Sequence, residues 1–157
     1  MKVRVEAADL PPEELLILHG AGVEAEALAR QLSAYADTLL EGAKVLRCYR
    51  RERGEEHECL IPYADILFCE TETEDVYVHT AMQAYRVRQR LYELERLLPL
   101  DFVRISKSTL LHVSHVESVQ RNLTASSPVT LRGTHKQVYV SRLYYRQLRE
   151  RLEKRFG

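Results

Sequence analysis

The residues with the most chemical potential lie in two short stretches. The first, FVRISKS, places Arg104, Ser106, Lys107 and Ser108 within five positions, flanked by apolar residues that can anchor them. Two cations and two hydroxyls on one short segment suit phosphate oxygens and the edges of nucleic-acid bases. The second, VYVSRLYYRQLRERL, exposes Arg142, Tyr144 or Tyr145, and Arg146 where a strand gives way to a helix. A helix N-terminus beside a serine and an arginine is a seat for a phosphate. A solvated basic helix capped by Ser141 explains the same residues with no ligand. A polar loop from Arg121 to Pro128 adds Arg121 and Asn122 as further candidates for DNA contact.

Other chemistry is thinly represented. There is no phosphate-cradling glycine loop and no paired-cysteine zinc spacing. His57, Cys59, Cys69 and His79 come nearest to a metal cluster, but their spacing fits no common zinc pattern. Counted about Arg53-Gly54, Cys48 falls opposite Cys59 in a symmetric hairpin, which makes a cross-strand thiol pair a candidate redox device. Ser106, Ser108, His112 and His115 contain the ingredients of a serine–histidine nucleophile without a nucleophile elbow around them. The expectation is that the chain is not an enzyme and needs no cofactor.

The charge distribution points the same way as the two basic stretches. The formal net charge is zero, but residues 1–42 hold three Lys/Arg against eight Asp/Glu. From Pro99 onward there are eleven basic and four acidic residues. A basic end on a neutral chain hints at a nucleic-acid or acidic partner. No apolar run approaches membrane-spanning length and no signal-peptide pattern opens the chain, so a cytoplasmic protein with reduced cysteines is expected.

The elements that must position these residues follow from hydrophobic periodicity. Lys2–Ala8 alternates as a strand, Leu15–Leu18 is a second strand or a helix start, and the spacing from Val23 to Leu40 is helical with Gly42 as its stop. Together they predict a ββα appendage over 1–42. Beyond it the expectation is a strand at Val45–Tyr49, a polar turn at Arg51–Glu58 and a returning strand at Cys59–Ile61. An apolar segment Ile66–Cys69 and an acidic turn Glu70–Asp75 come next, then strands at Val76–Thr80 and Tyr85–Val87. A short helix over Gln89–Leu98 is stopped by Pro99, and Phe102–Val113 has mixed character. Strands are expected at Val116–Val119, Val129–Leu131 and Val138–Val140, and a basic helix closes the chain over Leu143–Phe156. The fold class is α+β with mostly antiparallel strands.

From about Tyr63 to Leu152 the chain resembles a LytTR domain. The likeness is carried by DILFCE, VYVHT, LYELERLL before FVRISKS, then LLHVSHVESV and YVSRLYYRQLRERL, in that order. It implies an elongated, mostly antiparallel β fold with short helices, whose loops rather than a helix-turn-helix enter adjacent major grooves of double-stranded DNA. It also implies that Lys107 holds a base-reading position, that Arg104 and Ser108 are the family's Arg and Ser of the same block, and that Arg142 follows the serine of the closing motif. The family often carries His-Arg or His-Asn where this chain has Ser106-Lys107, and Val-Asn where it has Leu111-His112. Those departures bear on the target sequence, because Asn pairs with adenine whereas Lys favours guanine O6/N7 or a phosphate. Residues 1–42 are too short for a phosphoacceptor receiver and resemble the extension of stand-alone regulators, where pairing into a homodimer would add affinity. The rival expectations are a protein-interaction module without DNA binding and a single-strand binder that stacks bases on Tyr139, Tyr144 and Tyr145.

Overall fold

The computed structural model describes residues 44–157 together with Arg30. The chain divides into two units, Met1–Val45 and Leu46–Gly157, and the elements below belong to the second apart from Val45 itself. The ββα expectation for 1–42 lies outside the described residues.

In chain order the elements are β1 (Val45–Glu52), β2 (Glu55–Pro62), a 3-10 turn (Tyr63–Asp65), β3 (Phe68–Glu72), β4 (Asp75–His79) and β5 (Ala84–Val87). Helix α1 (Leu91–Leu97) leads to β6 (Phe102–Arg104) and β7 (Thr109–His112). A second 3-10 turn (Val113–His115), β8 (Val116–Val119), β9 (Ser127–Leu131), β10 (Gln137–Val140) and helix α2 (Tyr145–Phe156) complete the chain. Seven strands form one sheet in the order β2-β1-β5-β4-β3-β7-β6, and three form another in the order β10-β9-β8. The pairings with a resolved register are antiparallel, as expected for this class.

Strands with one buried face obey the alternation read from the sequence. On β4 the buried residues are Val76 and Val78, on β5 Tyr85 and Val87, and on β10 Val138 and Val140. Helix α1 buries Leu91 and Leu94, one turn apart, and Leu98 follows them into the same cluster. Its start is fixed by Glu93, whose carboxylate accepts the Arg90 amide at 2.7 Å, and Pro99 ends it.

Strands β3, β6 and β7 form the shared wall of two cores. Cys69, Phe102 and Leu110 face a cluster with Leu46, Val78 and the α1 leucines. Their neighbours Phe68, Val103 and Leu111 face a second cluster with Val129, Leu131, Val140 and Leu148 of α2. The order is therefore α1, large sheet, then a second core closed by the small sheet and α2. This explains the mixed segment Phe102–Val113: all four residues of β7 are buried, so no two-residue alternation remains to announce a strand.

Several boundaries move. The polar turn at Arg51–Glu58 contracts to Arg53-Gly54, whose φ values of 50° and 87° are those of a tight two-residue hairpin turn. β1 and β2 run on through charged residues on both sides of it. The acidic turn Glu70–Asp75 is mostly hairpin, since Glu72 pairs with Asp75 and only Thr73-Glu74 lie between the strands. Helix α2 starts at Tyr145, not Leu143, and Ser141 is not its cap; the cap position is Tyr144, with no side-chain hydrogen bond.

Two of the three cysteines, Cys48 and Cys69, are buried thiols held protonated. Burial pushes the Cys48 thiol up to about 12, with the neighbouring Cys59 raising it further, and Cys69 is raised still more by burial and by Cys48. Protonated buried thiols are weak nucleophiles. At neutral pH, Cys48 and Cys69 should resist alkylation in the folded protein and react at once in denaturant. Intact-mass counting of adducts checks this, and rapid native modification of either would show that the β1–β5 region opens easily.

Two histidines make the domain acid-sensitive. His79 stacks on Phe68 at 4.2 Å, and desolvation, then Lys136, lower its pKa to about 4. The Glu72 carboxylate, 3.7 Å from its Nε2, is beyond hydrogen-bonding distance and half exposed, so it does not offset the burial. His112, stacked on Phe102, is also lowered by desolvation. A histidine held neutral contributes stability that is complete above its unfolded pKa of about 6.5 and is lost as pH falls toward the folded value. Between pH 6.5 and 4 the His79 contribution should fall by about 2–3 kcal/mol, since each pH step across that window is worth up to about 1.4 kcal/mol. Urea midpoints at pH 7.5 and 4.5 measure it; equal midpoints would mean that Glu72 moves in to hold the imidazolium.

Candidate nucleic-acid interface

The first candidate stretch folds as the β6–β7 hairpin, and its tip is the turn Ile105–Ser108. The Ile105 amide bonds the Thr109 carbonyl at 3.0 Å, closing the turn. Ser106 Oγ accepts the Ser108 amide at 3.2 Å, and the two hydroxyls lie 3.4 Å apart. The Ser108 carbonyl accepts from the Thr71 amide at 2.8 Å, which ties the tip to β3. Ser106 and Ser108 thus serve first to shape the turn, while Lys107 is exposed at its summit.

The second stretch comes to the same place. The Ser141 amide donates to the Ile105 carbonyl at 2.9 Å, and the Ser141 carbonyl accepts from Tyr144 at 3.0 Å. One backbone hydrogen bond therefore stitches the Ser141–Tyr144 junction to the Lys107 turn. Arg142 and Leu143 stand exposed on that junction. The third segment joins them, because the Arg121 guanidinium lies 5.4 Å over the Tyr145 ring. Asn122 uses its side-chain oxygen internally, accepting from Thr124 N and Oγ1 at 3.0 Å and from Ala125 N at 3.3 Å. Its NH2 is the group left to offer a ligand, so a bidentate contact to adenine would require breaking that loop turn.

Other candidates are placed differently. Tyr144 is half-buried against the second core, as is Tyr145. Arg146 is 90% exposed and pairs with Glu150 across one helical turn at 2.9 Å, a weak surface pair that a phosphate can displace. Arg104 is only 14% exposed at its side chain and bonds Glu95 at 2.9 and 3.1 Å. That acidic partner on α1 carries no signal in the sequence beyond its place on the polar face of a helix. Arg86, Arg88, Arg149 and Arg155 likewise hold carboxylates. Lys107 and Arg142 have no ion pair among the described residues, which leaves positive charge concentrated where the three segments meet.

The serine–histidine arrangement does not assemble. Ser106 and Ser108 face each other rather than a histidine, while His112 Nδ1 donates to the Ile66 carbonyl and its Nε2 accepts from the Ser114 hydroxyl, both at 2.8 Å, and His115 bonds the Ala64 carbonyl. Cys69 and His79 are split between the two faces of the sheet, because His79 pairs beside Phe68 rather than Cys69. Ligand atoms of Glu70, Glu72 and His79 do approach within 4.8 Å, but Lys136 adds positive charge at His79.

The family model described as the LytTr DNA-binding domain matches residues 57–153. The chain belongs to the LytTR family. Its fold superimposes on a LytTr DNA-binding domain from Bacillus cereus with a TM-score of 0.61 at 22% identity, over 69% of this chain and 96% of that one. Uncharacterized HTH-type transcriptional regulators of Staphylococcus aureus are similar in sequence: those of strains NCTC 8325 / PS 47 and COL are 31% identical over 93 residues, 59% of this chain. The chain spans 63% of the length of those relatives. Despite their name, the LytTR domain here has no helix-turn-helix among its described residues, since α1 and α2 are separated by five strands. None of its described helices is long and apolar enough to cross a membrane.

Proposed function

We propose that this LytTR chain is a cytoplasmic, non-enzymatic transcription regulator that recognises specific sequences in double-stranded DNA. The turn bearing Lys107, the junction bearing Arg142 and the loop bearing Arg121 and Asn122 enter adjacent major grooves of repeated half-sites. The observation that carries the reading is the convergence of these three segments, with Lys107 and Arg142 free of carboxylates among the described residues. Family membership and the names of the relatives support the same class. Lysine at the summit favours guanine O6/N7 or phosphate, and Asn122 donates to base acceptors. The acidic segment 1–42 pairs two copies on the duplex, since one module meets few phosphates.

The single-strand alternative keeps a thinner stacking platform, because Tyr144 and Tyr145 are partly buried against the second core and Tyr139 alone of the three stands exposed. Selection from a random duplex pool, repeated at two salt concentrations, tests the proposal. A repeated motif should be enriched and affinity should fall steeply with salt. An unenriched pool with negligible binding at low salt would leave the protein-interaction reading instead. Sedimentation with and without the selected duplex reads the pairing; a monomer on DNA at every concentration would refute it.

A further inference from the structure

We infer that Glu95 and Arg104 are positioning residues: an ion pair rooted on α1 that holds the Lys107 peptide, and through it the orientation of the reading side chain, without touching DNA. The inference rests on the proposed role of the Lys107 turn. Ile105 O accepts from Ser141 and Ser108 O from Thr71, both backbone amides on neighbouring segments. The Lys107 carbonyl, at the summit, instead accepts from Arg104 Nη1 at 2.7 Å. Among the described residues this side chain is what fixes the peptide of the candidate reader.

Arg104 can do this because its other edge is held. Its Nε and Nη2 both donate to Glu95 Oε2, at 3.1 and 2.9 Å, so the planar guanidinium is pinned on one side and presents Nη1 on the other. Glu95 lies on the turn of α1 that follows buried Leu94, so its backbone is fixed by the core. The chain of contact therefore runs from core to α1, to Glu95, to Arg104, to the Lys107 carbonyl. A base contact needs its donor placed to within about half an ångström, and the supporting residues supply that accuracy. An arginine reaching for phosphate would instead have its guanidinium exposed, as Arg146 does.

The test uses the full-length chain and a duplex recovered from a random pool by the wild type. Arg104→Ala should lower affinity for that duplex about tenfold or more, with little change on random duplex and little change in melting temperature. Glu95→Gln should lower it several-fold, because the amide keeps an acceptor but loses the charge. In a Lys107→Ala background, Arg104→Ala should cost almost nothing further, since a residue that acts through Lys107 has nothing left to position. Equal losses on selected and random duplex, or full additivity with Lys107→Ala, would make Arg104 a phosphate contact and overturn the inference.

A readout without DNA separates this failure from failure of the functional proposal. Loss of the clamp should speed tryptic cleavage at Lys107–Ser108 relative to other sites, followed by mass spectrometry. Unchanged cleavage at that bond in Arg104→Ala would overturn the clamp whether or not the chain reads DNA.

Discussion

Replacing Lys107 by alanine is expected to weaken binding to a selected duplex by about ten- to a hundredfold, the range of about 1–3 kcal/mol that one base-edge contact carries. Binding to random duplex should fall far less. The reason lies in how the residue is built into the fold. Lys107 caps a turn whose backbone is committed at Ile105, Lys107 and Ser108, so its ammonium is delivered to a fixed place. Arg142→Ala should behave in the same way, because Ser141 ties its junction to that turn. Arg146→Ala provides the contrast. Its side chain is exposed on α2 and held by a surface pair, so its removal should weaken selected and random duplex alike and reduce the salt slope by about one. Fluorescence anisotropy on both duplexes at three salt concentrations separates the classes. Equal losses for Lys107 on both would reassign it to the phosphate backbone.

How much of this is legible in the sequence depends on whether a signal is local. Strands β4, β5 and β10 are readable because one face is wet and one dry, so Val76, Val78, Tyr85 and Val87 alternate with polar residues. β7 is not, because Thr109–His112 is covered on both faces and its mix of polar and apolar residues shows no two-residue alternation. The ends of β1 and β2 are hidden for the opposite reason. Their outer residues are charged and exposed, and what holds them is the cross-strand ladder and a hairpin turn with Gly54 at positive φ. Residue pattern starts α2 two positions early because Leu143 extends the apolar spacing, although it is exposed on the junction.

The site divides along the same line. Lys107 and Arg142 can be named from residue type, since unburied cations beside a serine are local facts. What brings them together cannot, because it consists of the bonds Ser141 to Ile105 and Ser108 to Thr71, each spanning more than thirty positions. The bond between Arg104 and Glu95 spans only nine, yet it is hidden as well. A glutamate on the polar face of a short helix looks like a solvated charge until the hairpin after it is folded back. Residue type thus nominates the groups that could face DNA, and the long-range ladder decides which of them are held in place and which hold others.

Leu148→Ala is expected to be strongly damaging to the fold, costing about 2–5 kcal/mol as a large-to-small substitution in a packed core. Leu148 is the one buried residue of α2, packed in the cluster that includes Val103, Ile105, Val113 and Val140. Tyr145 and Leu152 pack partly buried beside it, and at the helix edges Arg155 pairs with Asp101 and Arg151 bonds the Leu100 carbonyl. Such half-exposed contacts contribute little individually. Removing Leu148 therefore takes away the one fully buried anchor of α2 in the second core, which β6, β7 and the small sheet share. The consequence should extend to DNA, because α2 begins at Tyr145, under Arg121, and directly follows the junction that carries Arg142. At a temperature where the variant remains folded, affinity for the selected duplex should fall more than affinity for random duplex, since the exposed cations persist while their arrangement loosens. Urea denaturation gives the stability and anisotropy gives the binding. A variant that lost several kcal/mol of stability but bound the selected duplex as the wild type does would show that the Ser141–Ile105 bond alone is enough to hold the junction.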